Sequence, residues 1–238
     1  MRVLLTRPRE DSEALARVLA ARGIDALVAP LLVIEDLAAE APDLTGVQAL
    51  LVTSANGARA LARALDAGSP GFGLDVLTVG EGSAEAARDA GFARVAAAGG
   101  DVAGLAELVR ARLDPTNGAL LHAAGSVAAG DLAGSLAAAG YTVRRVVLYR
   151  ARPARRLSAP ARRAIAAGEV DAVLLFSPRT AATFAKLVRA AGLDPRLTGM
   201  DALCLSDAVA RALAGLGFRR VLVAARPDQP AMLALLAP

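Results

Sequence analysis

One stretch of sequence occurs twice in this chain. Leu77 to Val95 reads LTVGEGSAEAARDAGFARV, and Leu203 to Val221 reads LCLSDAVARALAGLGFRRV. Gly80 stands opposite Ser206, Gly91 opposite Gly217 and Phe92 opposite Phe218, at a constant offset of 217 − 91 = 126. In each copy an apolar run ends at a polar turn, a helical stretch follows, and a glycine stops it before the next apolar run. In the second copy the helix is expected over Ala208 to Leu216, with Gly217 as the stop. That is strand, turn, helix, strand. A chain of 238 residues that repeats itself at about half its length reads as two similar domains. Two similar domains imply a cleft between them, the usual place for a ligand.

The rest of the chain repeats too. A strand over Ala49 to Val52 runs into Thr53-Ser54-Ala55-Asn56, and a strand over Ala172 to Phe176 runs into Ser177-Pro178-Arg179-Thr180, at 177 − 54 = 123. The opening strand Arg2 to Thr6, the helix Arg9 to Arg22 and the strand Asp25 to Ala29 are echoed by the strand Ala119 to His122, the helix Asp131 to Ala139 and the extended run Tyr141 to Tyr149. Their stopping glycines lie 140 − 23 = 117 apart. A helix carrying Leu105, Leu108 and Val109 on one face follows the first copy, and a last helix over about Gln229 to Leu236 follows the second. Glu35 to Gly46 and Arg150 to Pro160, irregular and proline-bearing, read as connectors. Repeated β-α-β units require parallel strands joined by right-handed crossovers. The fold class is therefore α/β, as two similar domains with parallel sheets covered on both faces.

Several function classes fall away. Thr6-Arg7-Pro8 follows the first strand where a dinucleotide site would need glycines, and no phosphate-loop motif occurs. The single histidine, His122, cannot build a His-rich metal site, and no Asp/Glu cluster has ligand spacing, so neither metal nor nucleotide cofactor is expected. Cys204, the only cysteine, lies in an apolar run with no histidine near it in sequence. It reads as a small core residue in a reducing compartment. The net charge of +4 is nearly all arginine, Lys186 being the one lysine, and aromatic residues make up 3%. That is too few for stacking platforms, so no nucleic-acid partner is expected. A modest basic surplus suits an enzyme for an acidic small molecule. No apolar run reaches the roughly 20 residues of a membrane span. The opening residues lack the layout of a signal peptide, and a cytoplasmic monomer without membrane contact is the expectation.

What recurs is small hydroxyl residues and glycine where strands end: Thr53, Ser54, Gly80, Ser83, Ser177, Thr180 and Ser206. In parallel sheets that edge is where ligands bind. Free backbone N–H groups at the helix N-termini there suit carboxylates or phosphates. N-capping accounts for any one of these hydroxyls. Their recurrence at equivalent turns points to a two-lobed anion-binding cleft.

These motifs resemble the uroporphyrinogen-III synthase family. The matching stretches are VLLTRP (Val3 to Pro8), LLVTSANGARAL (Leu50 to Leu61), LTVGEGSAEAARDAGF (Leu77 to Phe92), the stretch from Gly125 to Tyr149 ending VVLY, VLLFSPRTAATF (Val173 to Phe184) and LCLSDAVARALAGLGF (Leu203 to Phe218). The resemblance implies a discontinuous domain of residues 1–33 with 158–238, a second domain of residues 41–145, and connector strands over 34–40 and 146–157. It implies a cofactor-free lyase that cyclises hydroxymethylbilane, a linear tetrapyrrole polycarboxylate, with loss of water and inversion of the last ring by way of a spiro intermediate. The open substrate also closes unaided to the uninverted isomer, so the task is mostly positional. Tyr149 matches the family's cleft-facing tyrosine and is the candidate proton donor, since a phenol keeps its proton at neutral pH. Backbone amides at Ser54 to Asn56, at Gly82 and Ser83, at Gly125 and Ser126, and at Ser177 and Arg179 would hold carboxylates, with Gly80 and Thr180 among the binding residues and Arg7, Arg150 and Arg179 adding charge. Val209 stands where the family commonly has threonine, and Ala124 where arginine is common. A non-catalytic two-lobed binder of an acidic metabolite is the alternative. A sugar-nucleotide transferase would require a donor-phosphate loop.

Overall fold

In the computed structural model the described residues are 1–37, 40–127 and 130–236. Residues 38–39 of the expected connector lie outside them. The chain begins β1 (Arg2–Leu5), α1 (Arg9–Ala20), β2 (Asp25–Val28) and β3 (Leu32–Asp36). It continues through β4 (Val47–Val52), α2 (Ala55–Ala64), β5 (Asp75–Thr78), α3 (Glu81–Asp89), β6 (Arg94–Ala97) and α4 (Val102–Arg112). Next come β7 (Ala119–Gly125), α5 (Leu132–Ala137), β8 (Val143–Pro153), α6 (Ala159–Ala167), β9 (Ala172–Leu175) and α7 (Pro178–Ala190). The last elements are β10 (Asp201–Cys204), α8 (Asp207–Arg211), β11 (Arg220–Val223) and α9 (Gln229–Ala234). The chain separates into two compact units, Met1–Val33 with Arg152–Pro238, and Ile34–Ala151.

The first unit holds a five-stranded sheet in the order β11-β10-β9-β1-β2, and every pair in it is parallel. The second holds a six-stranded sheet, β3-β8-β7-β4-β5-β6. Its β4–β5, β4–β7, β5–β6 and β7–β8 pairs are parallel. The orders match strand for strand, with β11, β10, β9, β1 and β2 corresponding to β6, β5, β4, β7 and β8. The chain passes between the units within β3 and again within β8. The Leu37 N–H donates to the Leu148 carbonyl and the Ala154 N–H to the Leu31 carbonyl, each at 2.9 Å. Numbering rises along one strand as it falls along the other, so this pair is antiparallel.

Side chains alternate across each sheet because the strand period is two. On one face of the first sheet Leu4, Val173, Leu175, Ala202 and Cys204 pack against α6, α7 and Val209 of α8. On the other, Val3, Leu5, Leu174 and Leu203 meet Leu15 and Leu19 of α1 and Met232 and Leu233 of α9. In the second unit Leu50, Val52 and Leu121 face α2 and α3, while Ala49, Leu51 and Leu120 face α4 and α5. Each fully buried leucine contributes about 1.5–3 kcal/mol. Together they hold the sheets in one register, since a slip by one residue would exchange the two faces. The result is the α/β class with parallel sheets. Cys204 is fully buried, and burial pushes its thiol up to about 11, so it serves as a core residue.

Three elements differ from the sequence reading. The helix of the second repeat is shorter than Ala208 to Leu216. After Arg211 the Ala212, Leu213 and Ala214 N–H groups bond to carbonyls three residues back, which tightens the α-helix into turns. Gly215, at φ 77°, takes the left-handed stop, not Gly217, whereas in the first copy Gly91 keeps it at φ 99°. Strand β7 runs on from His122 to Gly125. The connector expected up to Pro160 ends earlier, because Ser158 caps α6 by accepting the Ala161 N–H, with Pro160 in the first turn.

Asp201 fastens β10 to β11. Its carboxylate, almost wholly buried, accepts from Arg219 Nε at 2.8 Å and Nη2 at 2.9 Å, and from Arg220 Nη2 at 2.5 Å. The hydrogen bonds from Arg219 and then Arg220 hold it well below the ordinary carboxylate range. A depressed carboxylate stabilises the fold above its unfolded value of about 3.9, and the contribution fades as the pH falls below that. Asp201→Asn is expected to cost on the order of 2 kcal/mol at pH 7 by denaturant unfolding, with a smaller difference from the parent protein below about pH 4.

Candidate active site

In each unit the parallel register gathers the strand carboxyl ends at one edge. In the second unit β4, β5 and β7 end in Thr53-Ser54, Val79-Gly80 and Gly125-Ser126, and Tyr149 of β8 lies opposite the end of β7. Ser54 is the N-cap of α2, in extended backbone, and its Oγ accepts the Gly57 N–H at 3.0 Å. The same Oγ lies 2.8 Å from the Tyr149 hydroxyl. The Ser126 N–H donates to the Tyr149 carbonyl at 2.9 Å, and Arg145 Nη2 donates to the Gly125 carbonyl at 2.6 Å. Tyr149, Ser54, Gly125 and Ser126 therefore form one connected group.

Gly125 is part of the seat for the tyrosine. A Cβ built there would lie 2.8 Å from Tyr149 Cζ and 3.0 Å from its hydroxyl oxygen. The φ of Gly125 is not positive, so space and not backbone conformation demands glycine. The ladder shifts register between Ala124 and Gly125, setting Gly125 opposite Tyr149. The chain's other tyrosine, Tyr141, has a structural place: it is buried, and its hydroxyl donates to the Leu113 carbonyl at 2.7 Å.

The remaining predicted residues of this edge flank the group. The Val79 N–H donates to the Val52 carbonyl at 3.3 Å, which ties the turn before Gly80 to the end of β4. Gly80 caps α3 with no side-chain bond, and Ser83, one turn in, is buried. Asn56, in the first turn of α2, accepts from Arg59 at 3.4 Å. Thr53 Oγ1 lies 3.4 Å from His122 Nε2, and among the described residues His122 Nδ1 is buried without a partner. Arg150 pairs with Glu35 at 3.0 Å. Ala124 is buried within β7.

In the first unit, Arg7, Ser177, Arg179, Thr180 and Ser206 follow β1, β9 and β10 at the corresponding edge. The Leu205 N–H donates to the Leu175 carbonyl at 3.0 Å and joins two of these exits. Arg7 is engaged rather than extended into solvent: it pairs with Asp11 at 3.1 Å and lies over the Phe176 ring at 4.9 Å. Ser177 caps α7, accepting the Thr180 N–H at 3.2 Å, and its Oγ also meets Thr180 Oγ1 at 2.8 Å. Arg179 is exposed in the first turn of α7. Ser206 stands at the N-cap of α8 without a side-chain cap bond. Val209, where a hydroxyl residue would match the family pattern, is 1% exposed and packs in the core.

Two groupings were not legible in sequence: the Ser54–Tyr149 pair and the Gly125 seat. Ser54 and Tyr149 are 95 residues apart, and only the β4-β7-β8 order brings them together. A glycine beside the end of an apolar strand was the one local signal.

An α/β protein of two parallel-sheet units, each with a polar edge of helix N-termini, is the class these features define. A profile of the uroporphyrinogen-III synthase HemD family matches residues 13–234, and the chain belongs to that family, lyases of haem biosynthesis. Its function is that of the family, uroporphyrinogen-III synthesis, and its substrate class is the small-molecule tetrapyrroles. The fold is similar to the crystal structure of uroporphyrinogen-III synthetase from Helicobacter pylori, at 19% identity and a TM-score of 0.65, covering 99% of this chain and 98% of that one. It is also similar to a mutant uroporphyrinogen III synthase from the extremely thermophilic bacterium Thermus thermophilus, at 23% identity and a TM-score of 0.51, covering 99% and 97%. No curated protein matches the chain significantly. Among the described residues no helix is long and apolar enough to cross a membrane, and no His/Cys/Asp/Glu group could hold a metal ion.

Two measurements follow from this geometry. Gly125→Ala puts a methyl group into the Tyr149 ring and is expected to lower kcat by about tenfold or more, at an overpacking cost of about 1–3 kcal/mol read by denaturant unfolding. Burial, and then the Arg145 charge, hold the His122 imidazole down at about 4. A base so depressed is neutral in the fold and takes up a proton on unfolding below about pH 6.5. Its contribution is therefore present above that pH and is lost as the pH falls towards 4. On the order of 2 kcal/mol of stability should disappear over that window. His122→Leu should flatten this part of the stability–pH curve.

Proposed function

We propose that the family reaction is carried here by Tyr149, which gives a proton to the departing hydroxyl of hydroxymethylbilane. The observation that carries this reading is the Tyr149 hydroxyl, partly buried within β8 beside the end of β7 and 2.8 Å from the serine that caps α2. A phenol held at a helix N-terminus can lose its proton with the developing charge facing positive dipoles. In the proposed sequence the phenolic proton passes to the substrate's hydroxymethyl oxygen, the C–O bond breaks and water leaves. The cationic carbon left behind is captured at the substituted carbon of the last ring, giving the spiro intermediate. The original bridge from the third ring to that same carbon then breaks and re-forms at the last ring's free carbon, which closes the inverted macrocycle, and the proton lost from that carbon restores the phenol.

The substrate's carboxylates need holding while this happens. In the proposal the N–H groups at the starts of α2 and α3 and after β7, with Asn56, Gly80, Ser83 and Ser126, serve them in the second unit. Ser177, Arg179, Thr180 and Ser206 serve them in the first. Thr53 and Arg7 are proposed in supporting positions, because Thr53 faces His122 and Arg7 is paired with Asp11. In the proposal the protein is a cytoplasmic monomer that acts on a small-molecule tetrapyrrole without a macromolecular partner.

Purified protein supplied with hydroxymethylbilane is expected to give mainly the type III isomer by chromatography. The type I isomer alone, as in an enzyme-free control, would favour a non-catalytic binder. Tyr149→Phe should lower kcat by about 100-fold while the melting temperature stays put. Full activity in that variant removes Tyr149 from the mechanism.

A further inference from the structure

We propose that Ser54 is a positioning residue for Tyr149. It donates its hydroxyl proton to the phenolic oxygen, and that bond strengthens as the phenol gives its own proton to substrate. The inference rests on the reading of Tyr149 as the acid. It assigns Ser54 a task other than holding a carboxylate.

The hydrogen-bond inventory carries the direction. A serine hydroxyl has one donor and two acceptor sites. The Gly57 N–H occupies one acceptor site of Ser54 at 3.0 Å. The 2.8 Å contact with Tyr149 can then run either way. If the phenol donated into it, the proton needed by substrate would be tied up in the protein. Once that proton has left, the phenolate has no donor, so Ser54 must donate. Only one direction therefore serves both before and after the transfer. With Ser54 donating throughout, the bond becomes charge-assisted as the phenolate forms. It is then stronger in the transition state than in the ground state, which is the condition for raising kcat. The Gly57 N–H behind Ser54 polarises the hydroxyl and extends the α2 N-terminus to the phenol.

The contact is prepared rather than incidental. The missing side chain of Gly125 leaves the ring its place, and the Ser126 N–H fixes the Tyr149 carbonyl at 2.9 Å. The counterpart serine shows that capping alone does not require a tyrosine. Ser177 caps α7 in the same way, yet its second contact is Thr180 Oγ1 at 2.8 Å.

The test separates capping from donation. Ser54→Thr keeps both and should hold kcat within about threefold. Ser54→Asp keeps an acceptor for the Gly57 N–H but cannot donate to the phenol. It should retain the melting temperature and lose kcat by about 100-fold. Ser54→Ala loses both, and its kcat should fall at nearly constant KM. In a Tyr149→Phe background Ser54→Ala should have almost no further effect on kcat. Activity kept by Ser54→Asp, or an additive double variant, overturns the role given to Ser54. If Tyr149→Phe alone keeps full kcat, the acid itself is wrong and the inference falls with it. Loss in Tyr149→Phe beside full activity in Ser54→Asp sinks only the inference.

Discussion

Parallel pairing is the constraint on which the rest depends. When strands run the same way, every carboxyl end meets one edge of its sheet, and every following helix starts there. The peptide N–H groups of those first turns have no partner within the helix. Hydroxyl side chains and glycine backbone are what such turns can use, and this chain places them at β4, β5, β7, β9 and β10 alike. The polar edge is thus a consequence of topology before it is a feature of catalysis. The buried alternation of Leu50, Leu51 and Val52, or of Val173, Leu174 and Leu175, locks the register that makes the edge sharp.

The architecture was readable because the chain states it twice. Copies with the same apolar runs, polar turns and glycine stops identify the strand-turn-helix units, and offsets of 126, 123 and 117 pair them. Boundaries were less legible where hydrogen-bond spacing changes. Ala208 to Leu216 has helical periodicity throughout, but the chain tightens after Arg211 and the stop falls at Gly215. Nothing in propensity distinguishes those two glycines; packing of Leu213 into the core does. His122 looked like a strand terminus because polarity commonly marks strand ends. It is instead buried in mid-strand, where neutrality makes it tolerable. The hydroxyls of the site were legible as residue types at turns. Their partners were not, because partners depend on strand order.

The repeat also separates structure from chemistry. Ser54 and Ser177 arose at equivalent turns and perform the same capping bond, so that bond belongs to the fold. Their second contacts differ. One hydroxyl turns inward to Thr180 of its own helix, and the other reaches a phenol on a different strand. Val209 and Ser83 diverge in the same manner: both are buried one turn into their helices, and only Ser83 keeps a hydroxyl. Both tyrosines of the chain lie in the second unit, and only Tyr149 reaches its polar edge. The repeated topology gives each unit a polar edge of helix N-termini. Single side chains make the two edges unequal, and the inequality falls at the residue proposed to give the proton. In the proposed mechanism the asymmetry of the reaction then lies in Tyr149 and the Ser54 cap beside it, and the first unit contributes N–H groups and arginines for the substrate's carboxylates.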